Sequence, residues 1–257
     1  MTEIPKPSHL GRLHILTQEE LQDLYELPNF TDQERHLYFS LTKNEFELLA
    51  EFRSMASKLN FILQLGYFKA RHLFFNFEFQ AVSTDMEFIR RVYFPKEKKR
   101  IRKLEKVAIN TVLKHRRTIA ELFNYQFCGR PQRKLIEQTA QNSARISSKP
   151  IYIFREILTF LQNHRIILPG YSFLQDVISK SLNNEEDRLR TLLRTRLTST
   201  ETEKLKDLLT DSVGFYEITN LKREPRDFSF SEIKREIERG AKIKEIYQSA
   251  KEILPIL

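Results

Sequence analysis

Glycine is scarce in this chain, with six residues in 257. Tight turns at positive φ draw on glycine, and dinucleotide folds, phosphate-binding loops and hairpin-rich sandwiches use many such turns. A chain with so few glycines is therefore expected to be all-α. Helix-start signals agree. A Ser or Thr that caps a free backbone N–H, with Glu three residues on reaching back, occurs at Thr17–Glu20, Thr31–Glu34, Thr42–Glu45, Thr84–Glu87, Thr200–Glu203 and Ser229–Glu232. Hydrophobic residues make up 40% of the chain and charged residues 30%, which is enough apolar surface for a packed core of one or two domains.

Apolar spacing and helix breakers divide the chain further. Helices are expected at 18–26, stopped by Pro28, and at 32–39. A long helix is expected over 43–68, with Phe46, Leu49, Phe52, Ala56, Leu59 and Leu63 on one stripe. Phe75, Phe77 and Phe79 alternate with polar residues, the pattern of a short extended segment. Helices follow at 85–94 and 98–123, then another after Pro131, with further ones at 151–163, 172–182, 187–197, 201–209 and 230–253. The polar, Ser-rich stretch 141–149 before Pro150 reads as a linker. It separates an N-terminal module, 1–140, from a second helical module, 150–257. No internal repeat is apparent.

Most catalytic chemistry lacks its signature here. There is no GxxxxGK[ST], GxGxxG, CxxC or HExxH pattern, and the six histidines are scattered. Cys128 is the only cysteine, so no internal disulfide is possible, and it reads as a buried thiol rather than a nucleophile. No cofactor, metal ligand set or catalytic residue is assigned. No apolar run approaches the length of a membrane span and no leader pattern opens the chain, so a soluble protein of the bacterial cytoplasm, associated with the nucleoid, is expected.

The net charge of +9 is concentrated in one place. Between Arg90 and Arg117 twelve basic residues face only Glu97 and Glu105, while the remainder carries 31 basic and 32 acidic residues. The block comprises Arg90, Arg91, Lys96, Lys98, Lys99, Arg100, Arg102, Lys103, Lys106, Lys114, Arg116 and Arg117. Solvated helix faces mix both signs, so an unbalanced block points to a polyphosphate partner, with acidic proteins or membranes as the alternatives. Two stretches read as helix–turn–helix: 116–123 with 131–144, and 151–163 with 172–182. In such a unit the second helix offers its N-terminal residues to the major groove. Those residues are Arg130, Gln132, Arg133 and Lys134 in the first, with Gln138 further along and the two glutamines able to read adenine. In the second they are Tyr171, Ser172 and Gln175. Plain packing hairpins would give the same spacing.

The order of several motifs carries a resemblance. Ile15-Leu16-Thr17 is followed by Glu20, Leu24 and Leu27-Pro28, then by Tyr38 and Leu41. Lys58-Leu59-Asn60-Phe61-Ile62-Leu63-Gln64-Leu65 comes next, then Arg116-Arg117-Thr118-Ile119 with Phe123-Asn124-Tyr125, then Arg165-Ile166-Ile167-Leu168-Pro169-Gly170-Tyr171. Leu221-Lys222-Arg223-Glu224-Pro225 and the stretch to Leu254-Pro255 close the series. This resembles the N-terminal region of the transposases of the Tn-three family, the class II replicative transposons. Asn60 and Ile62 stand where that family has Gly and Ala. The resemblance implies recognition of double-stranded DNA at the transposon's terminal inverted repeats, with transposase self-association as a further expectation. It also implies that the Asp-Asp-Glu catalytic domain lies outside this chain, which is then no enzyme. Two alternatives stand beside it. One is a free-standing repressor or interaction protein that binds DNA non-specifically or binds a protein partner. The other is a metal-dependent nuclease with carboxylates clustered only in space.

Overall fold

The computed structural model describes residues 13–96, 107–207 and 229–250. Among these residues the fold is all-helical and has no strand. In chain order the helices are α1 (Gln18–Tyr25), α2 (Asp32–Tyr38), α3 (Lys43–Leu48), α4 (Met55–Arg71), α5 (Ser83–Tyr93), α6 (Ile109–Leu122), α7 (Arg130–Ile146), α8 (Pro150–Asn163), α9 (Tyr171–Arg196), α10 (Ser199–Asp207) and α11 (Phe230–Ala250). The chain forms two compact units, one up to Leu182 and one from Asn183 onward, and the division falls within α9.

The first three helices begin as their sequences predict. Thr17, Thr31 and Thr42 each accept the N–H of the glutamate three residues on, and each glutamate accepts the cap's own N–H. These reciprocal bonds satisfy two of the N–H groups that a helix start leaves open. The pattern at Thr84 does not act this way: α5 begins a residue earlier, at Ser83, with Val82 at its cap and no side-chain bond.

The helix expected over 43–68 is two helices. After α3 a single 3-10 turn, Leu49–Glu51, leads to Phe52 in extended conformation, and Ser54 then caps α4 by accepting the N–H of Ser57. The apolar stripe continues across the break from Leu49, because Phe52 stays buried against Phe61 and His115, with ring centroids 4.9 and 4.6 Å away, whereas Phe46, expected on the same stripe, is exposed. α4 is buried on nearly every side from Leu59 to Phe68, as befits a helix at the centre of a core. Gly66 belongs to it for a steric reason: a Cβ there would lie 2.2 Å from the Phe39 ring. Two hydrogen-bonded networks lock neighbours onto this helix. The Asp85 carboxylate accepts from Arg35 Nε and from Tyr67 Oη, each at 2.7 Å, and so ties α2, α4 and α5 together. Lys69 reaches Glu45 at 2.8 Å and the Ser40 carbonyl at 2.7 Å.

Two apolar clusters fill the first unit. One, rich in Phe and Tyr, surrounds α4 and takes in Phe30, Phe39, Phe75, Phe88 and Ile119. The other lies among α7, α8 and α9 and includes Ile136, Ile153, Phe154, Ile157 and Leu174. Neighbouring residues of one extended segment feed both, Ile166 the second and Ile167 the first. Successive side chains of extended backbone point to opposite sides, which makes this segment the seam between the clusters. The seam is closed by a parallel bridge: Gln126 N–H donates to the Arg165 carbonyl at 2.8 Å, and Ile167 N–H donates to the Gln126 carbonyl at 2.9 Å.

Other expectations meet the structure differently. The Phe75–Phe79 run is non-helical coil, with Phe75 buried in the aromatic cluster. The basic helix expected from Lys98 begins, among the described residues, at Ile109. Residues 97–106 lie outside those described. The stretch 141–146, expected to open a linker, continues α7, and Ser143 and Ala144 are buried there. The helices expected at 172–182 and 187–197 are one, α9. Asn183 and Asn184 do not break it, and Arg188–Glu185 (2.7 Å) and Arg190–Glu186 (2.6 Å) pair along it.

Candidate nucleic-acid interface

The turns after α6 and α8 are built alike. After α6, Phe123 N–H donates to the Ile119 carbonyl, Asn124 N–H to Glu121 and Tyr125 N–H to Ala120. After α8, His164 N–H donates to Phe160, Arg165 N–H to Gln162 and Ile166 N–H to Leu161. Asn124 and Arg165 both adopt left-handed backbone, with φ of 56° and 49°. Each is the reversal residue of a helix-ending motif in which its own N–H and that of the next residue cap open carbonyls. Gly129 and Gly170 then stand immediately before α7 and α9. Every one of these pairs is 41 residues apart. α6–turn–α7 and α8–turn–α9 are therefore two helix pairs with like-built turns, joined through those turns by the parallel bridge. The repeat escapes inspection of the sequence because it is kept in burial and backbone rather than identity: Ala120 matches Leu161, Ile136 matches Val177 and Ala140 matches Ser181, all buried.

The residues expected to contact DNA fall into three groups. Arg117 on α6 and Arg130 and Lys134 on α7 are exposed, and no described residue pairs with them. Lys114 is exposed, with Glu51 at 3.9 Å. Arg91 is exposed beside the Phe88 ring, Ser172 is exposed, and Arg90 pairs with Glu87 at 2.8 Å. A second group is engaged within the fold. Arg116 donates to the Phe75 carbonyl at 2.7 Å and to Asn76 Oδ1 at 2.8 Å, and its guanidinium lies over the Phe74 ring. Gln132 donates to Gln126 Oε1, and Arg133 lies over Phe173; burial raises the pKa of the nearby Cys128 thiol, against the charge of Arg133. Tyr171 Oη accepts from Ile15 N–H and Leu16 N–H, and Gln175 Nε2 donates to the Leu13 carbonyl at 2.8 Å. The third group, Lys98, Lys99, Arg100, Arg102, Lys103 and Lys106, lies outside the described residues.

His115 anchors α6 to α4 from beneath this surface. It is fully buried, with Nε2 3.0 Å from Ser57 Oγ and Nδ1 3.0 Å from Asn60 Oδ1. Desolvation, reinforced by Lys114, pushes its pKa down to about 4, so the ring is neutral at pH 7. Nδ1–H then donates to the amide oxygen and Nε2 accepts the serine proton. Ser57 and Asn60 are themselves buried, and the network ties α6 to α4. Among the described residues no group of three or more His, Cys, Asp or Glu could hold a metal ion, and no helix is long and apolar enough to cross a membrane.

α7 has a feature that turn-centred reasoning passes over. Ile136, Ala140, Ser143 and Ala144 form its buried face. Opposite them Lys134, Gln138, Asn142 and Arg145 fall on one line, all exposed, and no described residue bonds to any of them. The steps of four, four and three residues that align them were present in the sequence.

No curated protein matches this chain. Residues 15–181, which take in α1 to α8 and the start of α9, match the family described as Domain of unknown function (DUF4158). The chain belongs to that family, which is often found at the N-terminus of transposase proteins.

Proposed function

We propose that this chain is a DNA-binding module of a transposition protein, that it recognises the terminal inverted repeats of its element, and that it performs no chemistry itself. The observation that carries the proposal is the exposed charge on consecutive helices: Arg117 on α6 and Arg130 and Lys134 on α7, with no carboxylate among the described residues paired to them. Phosphate contacts from such cations supply affinity and orientation, while side chains that reach base edges supply sequence preference. Membership of a transposase-linked family and the two like-built helix pairs support the same reading. So does the unbalanced basic block, which continues through Lys98–Lys106.

Competition between two labelled duplexes tests it, one taken from the element's terminal repeat and one scrambled at the same length and composition. The purified chain is expected to hold the repeat at least tenfold more tightly at physiological salt. Equal affinity would reduce the function to DNA coating. Failure to bind either duplex would favour a protein partner.

A further inference from the structure

Resting on the DNA-binding reading above, we infer that α7 alone is the base-reading helix of the repeated pair, through the line Lys134, Gln138, Asn142 and Arg145, and that α9 has been converted to a structural support. The repeat makes the two helices comparable position by position. At the spacing of 41 residues, Arg130 and Lys134 of α7 correspond to Tyr171 and Gln175 of α9. In α9 both positions are used up by the chain's own N-terminal segment: Tyr171 Oη holds the N–H groups of Ile15 and Leu16 at 3.2 and 3.3 Å, and Gln175 holds the Leu13 carbonyl at 2.8 Å. Tyr25 seals the same end of the helix, its hydroxyl donating to the Pro169 carbonyl at 3.1 Å and its ring 5.7 Å from that of Tyr171. Ile15 is itself a core residue, so this cover is part of the fold and not a removable lid. In α7 the same positions are exposed, and no described residue bonds to them.

The chemistry of the two outward faces differs as well. On α7 the line carries two cations and, between them, two primary amides, with no carboxylate among the four. Gln and Asn are the side chains that form paired bonds to adenine, and Lys and Arg at either end suit guanine or the flanking phosphates. From Lys134 to Asn142 the helix rises roughly 12 Å at about 1.5 Å per residue, so the line spans a few base pairs of a major groove about 12 Å wide. On α9 the exposed positions of the first unit are Ser172, Asp176 and Lys180, which make no comparable line of cations and amides.

Selection from a random-sequence duplex library by the full chain tests the assignment. The set comprises wild type, Gln138→Ala, Asn142→Ala and the control Ser172→Ala with Asp176→Asn. All four altered side chains are exposed, and circular dichroism confirms equal helix content before selection. Wild type is expected to enrich one motif. Each α7 variant is expected to lose about ten- to a hundredfold of the preference at one or two adjacent base pairs, with less than about threefold change in low-salt affinity for unselected DNA. The α9 variant is expected to return the wild-type motif unchanged. If both α7 variants return the wild-type motif, or if the α9 change alters it, the assignment is wrong. If wild type binds but enriches nothing, base reading by α7 falls while DNA binding stands. If wild type retains no duplex at all, both fall together.

Discussion

Arg116 and Arg117 are adjacent in sequence and opposite in role. A helix turns 100° per residue, so one guanidinium is carried inward and the other out to solvent. The Arg116 guanidinium donates to the Phe75 carbonyl and Asn76 and covers Phe74, and burial lowers its pKa. It holds the non-helical 73–78 segment against α6. Arg117 is exposed, and no described residue pairs with it. Arg116→Ala is therefore expected to lower the thermal midpoint, at a cost of roughly 1–3 kcal/mol for bonds lost at a charged, half-buried group. Arg117→Ala is expected to leave the stability within about 0.5 kcal/mol of wild type while weakening DNA binding and making its salt dependence shallower. Thermal melts read beside binding isotherms check both. The opposite pattern, with Arg116 affecting binding and Arg117 stability, would mean that the inward and outward assignments are reversed. A list of basic residues in the sequence could not separate the two, because both belong to one charged run and only the packing partner of each differs.

At the scale of elements, Tyr171 shows how a residue at a helix N-terminus can be committed to the fold. Its hydroxyl accepts two backbone N–H groups from residues 156 and 155 positions away. Tyr171→Phe would keep the ring and remove the acceptor. It is expected to destabilise the first unit by about 1–2 kcal/mol, to speed amide exchange at Ile15 and Leu16, and to leave DNA affinity unchanged. Hydrogen exchange with mass detection, together with a binding isotherm, checks all three, and loss of affinity at unchanged exchange would return Tyr171 to the interface. Much of the helical organisation was legible beforehand. Three capping boxes, the stop at Pro28, and the turns between 123 and 131 and between 163 and 172 follow from local chemistry that a sequence displays directly. What was hidden depended on tertiary contacts. The break at 52–54 hides because Phe52 remains in register with the core stripe. The continuation of α7 through 141–146 hides because Ser143 and Ala144 are small residues buried against α8, in a stretch that looks like a linker. The 41-residue repeat hides because only burial and backbone conformation are shared.

For the whole molecule, charge distribution and family membership point the same way. The chain belongs to a family often found at the N-terminus of transposase proteins, and its excess charge is gathered in one block that runs into α6, the first helix of two like-built helix pairs. Residue type and position alone are enough to propose the basic block and the first turn of α7 as DNA contacts. The commitment of Arg116, Gln132, Tyr171 and Gln175 to internal bonds was not legible, since their partners lie far away in sequence or across a turn. The claim on which the account depends is that this surface binds the DNA backbone. Fluorescence anisotropy of the full chain with a labelled duplex, repeated across a range of salt concentrations, measures that most directly. If the cations neutralise about six phosphates, log K should fall linearly with log salt at a slope near −5, and Arg117→Ala and Lys134→Ala should each reduce the steepness by about one unit. An affinity that does not change with salt, or a slope untouched by these substitutions, would contradict it.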